Sequence, residues 1–329
     1  MTDAPFVVPL DRGALWFEDG TLVIRAQQTA FKVHRSILAA RSSVFRDMLA
    51  MPQNAEFVEQ LDGCPMVVLP DAPKDLHCFL RAIFDSSYFM PSPHMADLSD
   101  ILSILRLSHK YDVDYLFQRA LAHLDQSLYF NSFHDFHHHL GGFGSIRLID
   151  GSDEEWNAHM NSPLPFVLIL QATTEVNALW LQPLTVYWAC SVPLNSLMSL
   201  PRAAASRETL QQLVQWRTAL VQARARFLAH FAEFGVGPGI GGHCSTSATC
   251  LRAGLSFVTR VMTQHAGADD ASILEPIDLQ DLNFCRSCGD HAERFCENDA
   301  VDSWAQLPRR LGLPTWQQLR AQRQAVLGL

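Results

Sequence analysis

The clearest pattern of apolar and polar positions runs from residue 31 to residue 49. Phe31 and Val33 alternate with polar residues, which is the period of a half-buried strand. From Ser36 onward the apolar residues recur at helical spacing, and Ser36 is predicted to cap a short helix. Ser42 is predicted to cap a second helix. The apolar face of that second helix carries Val44, Phe45, Met48 and Leu49.

Further elements are predicted on either side of this stretch. Residues 21–25 read as a strand that pairs with the Phe31 strand in a hairpin, and residues 64–70 as a short strand bounded by prolines. Three helices are predicted within residues 71–86, 98–109 and 115–124. We expect the inner core of this part of the chain to be formed by Phe31, Val33, Leu38 and Phe45.

An ordered set of residues in this region resembles the signature of a known domain family. The set consists of Phe31, His34, Arg35, Leu38, Ala39, Ala40, Ser42 and Phe45. Asp19 stands where that family has an acidic residue opening its first strand, and residues 110–113, Lys-Tyr-Asp-Val, match the end of a typical helix. Residues 15–127 therefore resemble a BTB (POZ) domain. The resemblance implies an α+β fold, a short sheet flanked by helices; the alternative is an ordinary β-α-α unit.

Together, the resemblance and the apolar pattern divide the chain into four segments. Residues 1–14 are a lead-in, 15–127 the BTB domain, 128–162 a linker or irregular segment, and 163–329 a mainly α-helical C-terminal domain. The best helical pattern of the last segment spans residues 208–234. Residues 16–20, Cys64-Pro65 and the pattern around Trp304 and Trp316 also resemble a large fungal family of BTB-domain proteins. That likeness implies no activity.

The BTB resemblance implies a protein-interaction module that forms homodimers or recruits other proteins. Docking on a cullin scaffold, as a ubiquitin-ligase substrate adaptor, is one such use. The candidate protein-binding residues are Trp16, Phe17, Leu22, Ile24, Ile37 and Val44. The alternative, residue by residue, is that these side chains face the domain's own core or the second domain. No catalytic residue is assigned, and the chain is predicted not to be an enzyme.

Two other functions stay open. An enzyme of unknown reaction within residues 160–329 is one alternative, although no nucleophile-elbow, phosphate-loop or metalloprotease motif occurs. A transcription regulator is the other, and it would need Cys2His2 fingers or a basic DNA-binding region. His291 follows Cys288 too closely for such a finger. The net charge of −9 and the pI of about 5.8 argue against a nucleic-acid partner.

Signals for secretion or membrane insertion are not recognised. The N-terminus has no basic region followed by an apolar run, so no signal peptide is predicted. Residues 178–200 are strongly apolar, but Pro183 and Pro193 interrupt them, and we interpret them as buried core. The eight cysteines are irregularly spaced, which favours reduced thiols in the cytoplasm or nucleus. We expect an intracellular protein without a membrane partner.

The sharpest local motif is Cys285-x-x-Cys288. Two cysteines at this spacing can share one tetrahedral Zn²⁺ if a second pair comes from elsewhere. Cys244 and Cys250 are the candidate second pair, although their spacing is longer than that of the usual knuckle. We expect the four sulfurs to lie within a few ångströms of one another, as a structural zinc site requires. The alternative is a set of small buried apolar residues, a role that suits free cysteine.

Histidines form a second cluster, at His134, His137, His138 and His139. On a helix His134 and His138 lie four residues apart and form a potential metal pair. No third ligand is placed beside them, so a solvated, pH-sensitive surface is the favoured interpretation.

Overall fold

A computed structural model describes residues 10–51, 59–138, 144–148, 162–233, 244–264, 271–275, 277, 279 and 281–329. Parts of the predicted lead-in (residues 1–9) and of the predicted linker (residues 139–143 and 149–161) lie outside this description, as does His139. The chain divides into two compact units. The first unit comprises residues 1–127 and 143–151, and the second comprises residues 128–142 and 152–329.

A five-stranded sheet forms the centre of the first unit. Its strands are β1 (Asp11–Trp16), β2 (Leu22–Ala26), β3 (Thr29–Val33), β4 (Gln60–Leu61) and β5 (Cys64–Leu69). The strand order is β1-β3-β2-β5-β4. β2 and β3 form the predicted hairpin, with Ile24 opposite Phe31, while β5 lies parallel to β2. Two further short strands, β6 (Ala96–Asp97) and β7 (Ile146–Arg147), pair in parallel.

Five helices accompany these strands: α1 (Arg35–Arg41), α2 (Ser43–Ala50), α3 (Pro73–Phe84), α4 (Leu98–Lys110) and α5 (Asp114–Leu128). Ser42 caps α2 as predicted, because its side chain accepts a hydrogen bond from the Phe45 amide at 3.0 Å. The prediction that Ser36 caps α1 is wrong, since that helix begins at Arg35. The Arg35 amide donates instead to the Thr21 hydroxyl at 3.1 Å, so a residue just before β2 supplies the acceptor at this helix start.

The core of the first unit confirms the four predicted residues. Phe31, Val33, Leu38 and Phe45 are all buried. Phe45 stacks on Tyr111, with ring centroids 4.7 Å apart. The Ser42 hydroxyl also donates to the carbonyl of Tyr111, so the start of α2 is tied to the end of α4 by both an apolar and a polar contact.

A charged side chain lies inside the same unit. Lys32 is buried although it is the polar member of the alternating β3 pattern. Its ammonium donates to Asp62 Oδ2 at 2.7 Å and to the Glu18 carbonyl at 3.0 Å. The hydrogen bond to Asp62 raises the pKa of Lys32 and lowers the pKa of Asp62, so both groups stay charged. Asp62 and Gly63 both have positive φ in the tight turn between β4 and β5.

The second unit is mainly helical, so the predicted fold class is confirmed: an α+β unit followed by a mainly α-helical region. Its helices are α6 (Phe133–His138), α7 (Leu164–Glu175), α8 (Gln182–Ser191), α9 (Leu194–Met198), α10 (Arg207–Ala232), α11 (Ser247–Gln264), α12 (Arg286–Arg310) and α13 (Trp316–Leu327). Much of the apolar stretch 178–200 is buried, as interpreted from the sequence, with Trp180 and Tyr187 fully enclosed. No helix among the described residues is long and apolar enough to span a membrane.

Candidate interaction surface and four-cysteine centre

The predicted protein-binding residues of the first unit fall into three groups. Leu22 and Ile24, at 1% and 0% exposure, lie in the unit's own core on the central strand β2. Trp16 and Phe17 are half-buried. Ile37 and Val44 are each 38% exposed, on the neighbouring helices α1 and α2. For Leu22 and Ile24 the structure therefore corresponds to the alternative that the sequence left open.

A shallow groove lies beside Ile37. It encloses a volume of about 420 Å³ and is lined by Ile37, Ala40 and Arg41 of α1 and by Ile83 and Phe84 of α3. Phe17 packs on one lining residue of this groove, because its ring lies 5.4 Å from that of Phe84, and it also lies 5.1 Å from the ring of His34. The exposed apolar part of the predicted surface is thus a helical face with a groove next to it.

Trp16 is held differently from Phe17. The guanidinium of Arg12 lies 4.4 Å from the centre of the Trp16 ring, a distance suited to a cation–π contact. The indole N–H of Trp16 is buried, with no hydrogen-bond partner among the described residues. Trp16 is therefore a half-covered side chain at the end of the edge strand β1.

In the second unit, the predicted cysteines come together. Cys285 is the residue that precedes α12, and Cys288 lies in its first turn. Cys250 lies in the first turn of α11, and Cys244 just before that helix. All four Sγ atoms lie within 4.8 Å of one another, and the Cys244 and Cys285 sulfurs are 4.0 Å apart. The prediction that these four sulfurs cluster is confirmed.

Helix starts explain how the long Cys244–Cys250 spacing is closed. The chain turns into α11 at Ser247, and the backbone amide of Cys250 donates to the Thr246 carbonyl at 3.0 Å. This turn brings the Cys250 thiol back towards Cys244, as the two-residue spacing does for Cys285 and Cys288. The sequence argued against a metal site because five residues separate Cys244 from Cys250. In the structure a helical turn spans these residues, so the long spacing is compatible with a shared metal.

Backbone amides point at the sulfurs of this cluster. The Cys285 amide donates to Cys250 Sγ at 3.2 Å. The amides of Cys288 and Ser245 hydrogen-bond to the Cys285 sulfur, and they lower the pKa of Cys285 to about 6. Burial raises the pKa of the Cys288 thiol above its usual range. The donors thus favour a thiolate at the partly exposed Cys285.

The cluster lies against an apolar core. This core, which we call the Phe–Cys core, consists of Phe227, Phe231, Cys250, Phe257, Val261, Cys288 and Ala292. Cys250 and Cys288 are fully buried within it, while Cys244 and Cys285 are partly buried and pack against it. All eight cysteines of the chain are free. The alternative role as small buried residues therefore describes two of the four, and leaves the convergence of all four sulfurs unexplained.

Four thiols in this arrangement fit the needs of a zinc ion. Zn–S bonds of about 2.3 Å place tetrahedral sulfurs about 3.8 Å apart, close to the separations seen here. An all-sulfur donor set suits Zn²⁺ or another thiophilic metal. Four protein ligands would also close the coordination sphere, as in structural rather than catalytic zinc sites.

The predicted histidine cluster is arranged differently. His134 and His138 meet edge to face at 4.3 Å on α6, and His134, His137 and His138 are all exposed. Among the described residues, the cysteine group alone brings three or more potential metal ligands together. A solvated surface remains the interpretation of the histidines.

A larger cavity lies within the second unit. It encloses about 850 Å³ and is lined by residues of α6, α10 and α12 and of the segment 273–285. Carboxylates predominate among its charged groups, and burial raises the pKa of one of them, Asp299. Sequence reasoning missed this cavity, because its walls come from segments more than a hundred residues apart. An enzyme in the second half would find space here, and that alternative stays a prediction.

Comparison with known proteins addresses the first unit. Residues 16–128 match the family model of the BTB/POZ domain. No curated protein and no solved structure matches the chain. The likeness of the chain's second half to fungal BTB proteins stays a prediction. The matched segment contains the β2–β3 hairpin, the two helices after it and the helices α3 to α5, and we conclude that this part of the chain is a BTB/POZ domain, a protein-interaction module.

Proposed function

We propose that the chain is an interaction protein that self-associates through the face of α1 and α2. The observation that carries this proposal is the exposure of Ile37 and Val44 on adjacent helices, beside the groove between α1 and α3. Burying apolar side chains is the main source of association free energy. A specific interface buries about 1,600 Å² in total, so these two residues would form its centre rather than the whole contact. We also propose that the chain as a whole, including its second unit, acts as an interaction protein and not as an enzyme.

Light scattering on the full-length protein tests self-association. At tens of micromolar we expect a mass about twice the 36.8 kDa of one chain. Ile37→Glu and Val44→Glu place a charge in the proposed interface and shift the mass to that of one chain. Met95→Glu is the matched control, because Met95 is exposed in the same unit but lies outside α1 and α2. A monomeric wild-type protein at these concentrations would rule the proposal out.

Partner recruitment extends the same proposal. We propose that the BTB unit docks a cullin scaffold and that the second unit holds the substrate, which makes the chain a ubiquitin-ligase substrate adaptor. The support is the family of the first unit together with the presence of a separate second unit. Affinity purification of the tagged chain from its native cells asks whether a cullin is recovered. Recovery of none would remove the adaptor role and leave self-association standing.

The four-cysteine cluster of the second unit is the candidate metal site. We propose that Cys244, Cys250, Cys285 and Cys288 bind one structural Zn²⁺, because their four sulfurs converge and form an all-sulfur donor set. Elemental analysis of purified protein is expected to find about one zinc per chain. Metal-depleted protein is expected to give the visible spectrum of a tetrathiolate site when Co²⁺ is added.

The location of the protein follows from its cysteine chemistry. We propose an intracellular, reducing location, which is supported by eight cysteines that are all outside disulfide bonds.

A further inference from the structure

The cysteine cluster lies where two long helices begin. α11 has 18 residues and α12 has 25, and the four sulfurs lie at or just before their first turns. A zinc ion with four thiolates carries a net charge of about −2. Helix N-termini and their free amides favour negative charge. The two helix starts and the amide donors to Cys250 and Cys285 therefore offset the charge of such a centre.

Both helices also pack on the same third helix, α10. From α11, the ring of Phe257 lies 4.5 Å from Phe231. From α12, Phe295 stacks on His230 at 3.7 Å and on Phe227 at 5.4 Å. The contacts of α11 and α12 with α10 thus lie one or more turns into each helix, while the sulfurs join the two helices at their starts.

The fully buried part of the Phe–Cys core is small. Among the described residues it has three phenylalanines, one valine, one alanine and two cysteines of the cluster, while partly buried apolar residues such as Phe295 and Leu282 pack against it. Small cores commonly need a metal or a cross-link to hold their elements together. Four unliganded sulfurs provide no comparable link, because thiols form only weak hydrogen bonds.

We propose that the zinc centre fastens α11 and α12 to each other, so that this helical layer packs on α10 only when metal is bound. The inference rests on the zinc binding proposed above. The first turn of α12, including Cys285, Arg286 and Gly289, also lines the 850 Å³ cavity. Metal binding therefore fixes one wall of that cavity.

Amide hydrogen exchange on the full-length protein tests the fastening. Zinc-loaded protein, chelated protein and chelated protein with zinc restored are compared, and elemental analysis confirms the metal content of each. On zinc removal we expect exchange to rise at least about tenfold across α11 and the first turns of α12. We expect α4, in the BTB unit, to be unaffected, and added zinc to restore protection.

The other outcomes separate the two proposals. If zinc is removed but the exchange of α11 and α12 does not change, the fastening is wrong and zinc binding stands. Equal acceleration in α4 would also overturn the fastening, because the effect would then be general. If purified protein holds no zinc and takes up neither Zn²⁺ nor Co²⁺, both proposals fail.

A pair of variants adds a test that does not depend on a chelator. Cys288→Ser removes a buried ligand, and Cys296→Ser removes a thiol on the same helix that lies outside the cluster. We expect loss of zinc and of α11 protection for Cys288→Ser and retention of both for Cys296→Ser. Zinc retained by Cys288→Ser at the wild-type stoichiometry would overturn the assignment of this ligand. If Cys288→Ser does not fold, the chelation experiment on the wild type still decides.

Discussion

The first unit and the Phe–Cys core of the second unit bury their side chains in different ways. In the first unit, large apolar residues from strands and helices fill the interior, among them Phe31, Phe45 and Phe79. Its buried Lys32 ammonium pairs with the carboxylate of Asp62, an exposed residue. In the Phe–Cys core, three of the fully buried residues among those described are phenylalanines, two are cysteines, and four thiols converge at its edge. An ordinary apolar core needs nothing from outside the chain, whereas under the zinc proposal the Phe–Cys core would gain part of its order from a bound metal.

The largest expected effect in this comparison concerns Phe45. Phe45→Ala removes a fully buried ring that stacks on Tyr111, so we expect the free energy of unfolding to fall by about 3–5 kcal/mol. Chemical denaturation measures this loss, and elemental analysis is expected to find unchanged zinc. Met95→Ala, at an exposed position of the same unit outside the proposed interface, is the control and is expected to change stability by about 0.5 kcal/mol or less. Loss of zinc from Phe45→Ala would break the distinction between the two regions.

A smaller effect is expected at Ser42. Ser42→Ala removes the cap of α2 and the hydrogen bond to the Tyr111 carbonyl, which we expect to cost about 1–2 kcal/mol. Ser36→Ala is the matched control, since Ser36 is exposed within α1 and caps nothing. It is expected to alter stability by about 0.5 kcal/mol or less. Equal losses for the two variants would contradict the capping assignment.

The smallest expected effect is a pH dependence of the first unit. His123 is buried, with Nε2 2.9 Å from the Met90 carbonyl and Nδ1 3.0 Å from the Ser145 hydroxyl, and burial lowers its pKa. The unfolded chain therefore binds a proton more readily than the folded one, so stability falls as the pH drops below about 6.5. Denaturation at pH 7.5 and 5.5 measures the slope, which we expect His123→Gln to reduce. Ser36→Ala, at an exposed site with no titratable group, is expected to leave it unchanged.

Local patterns predicted much of this molecule, and long-range geometry accounts for what they missed. Alternation identified β3 and the buried Phe31 and Val33. It did not reveal that the polar residue between them, Lys32, is buried, because its partner carboxylate is thirty residues away. That partner had a local signal, since Asp62-Gly63 between Leu61 and Cys64 is typical of a two-residue hairpin turn.

In the candidate sites, too, local patterns identified residues but long-range packing determined their arrangement. Cys285-x-x-Cys288 is visible locally, but its approach to Cys244 and Cys250 depends on how α11 and α12 are placed. Apolar residues of the BTB unit were recognisable, yet periodicity did not separate buried Ile24 from exposed Ile37. Whether an apolar side chain faces a core or a partner is decided by the packing of neighbouring elements, which short patterns do not encode.

The Lys32–Asp62 pair also bears on how this domain can change over evolution. Losing the carboxylate alone leaves the buried ammonium without its counter-charge, with the Glu18 carbonyl as its remaining acceptor, and losing the lysine alone removes the partner of Asp62 at its turn. Each single change is therefore costly, while a joint change to an apolar residue at position 32 and a neutral one at position 62 is tolerated more easily. Across related sequences, substitutions at positions 32 and 62 are therefore expected to be correlated, although one strand and two helices separate these positions along the chain.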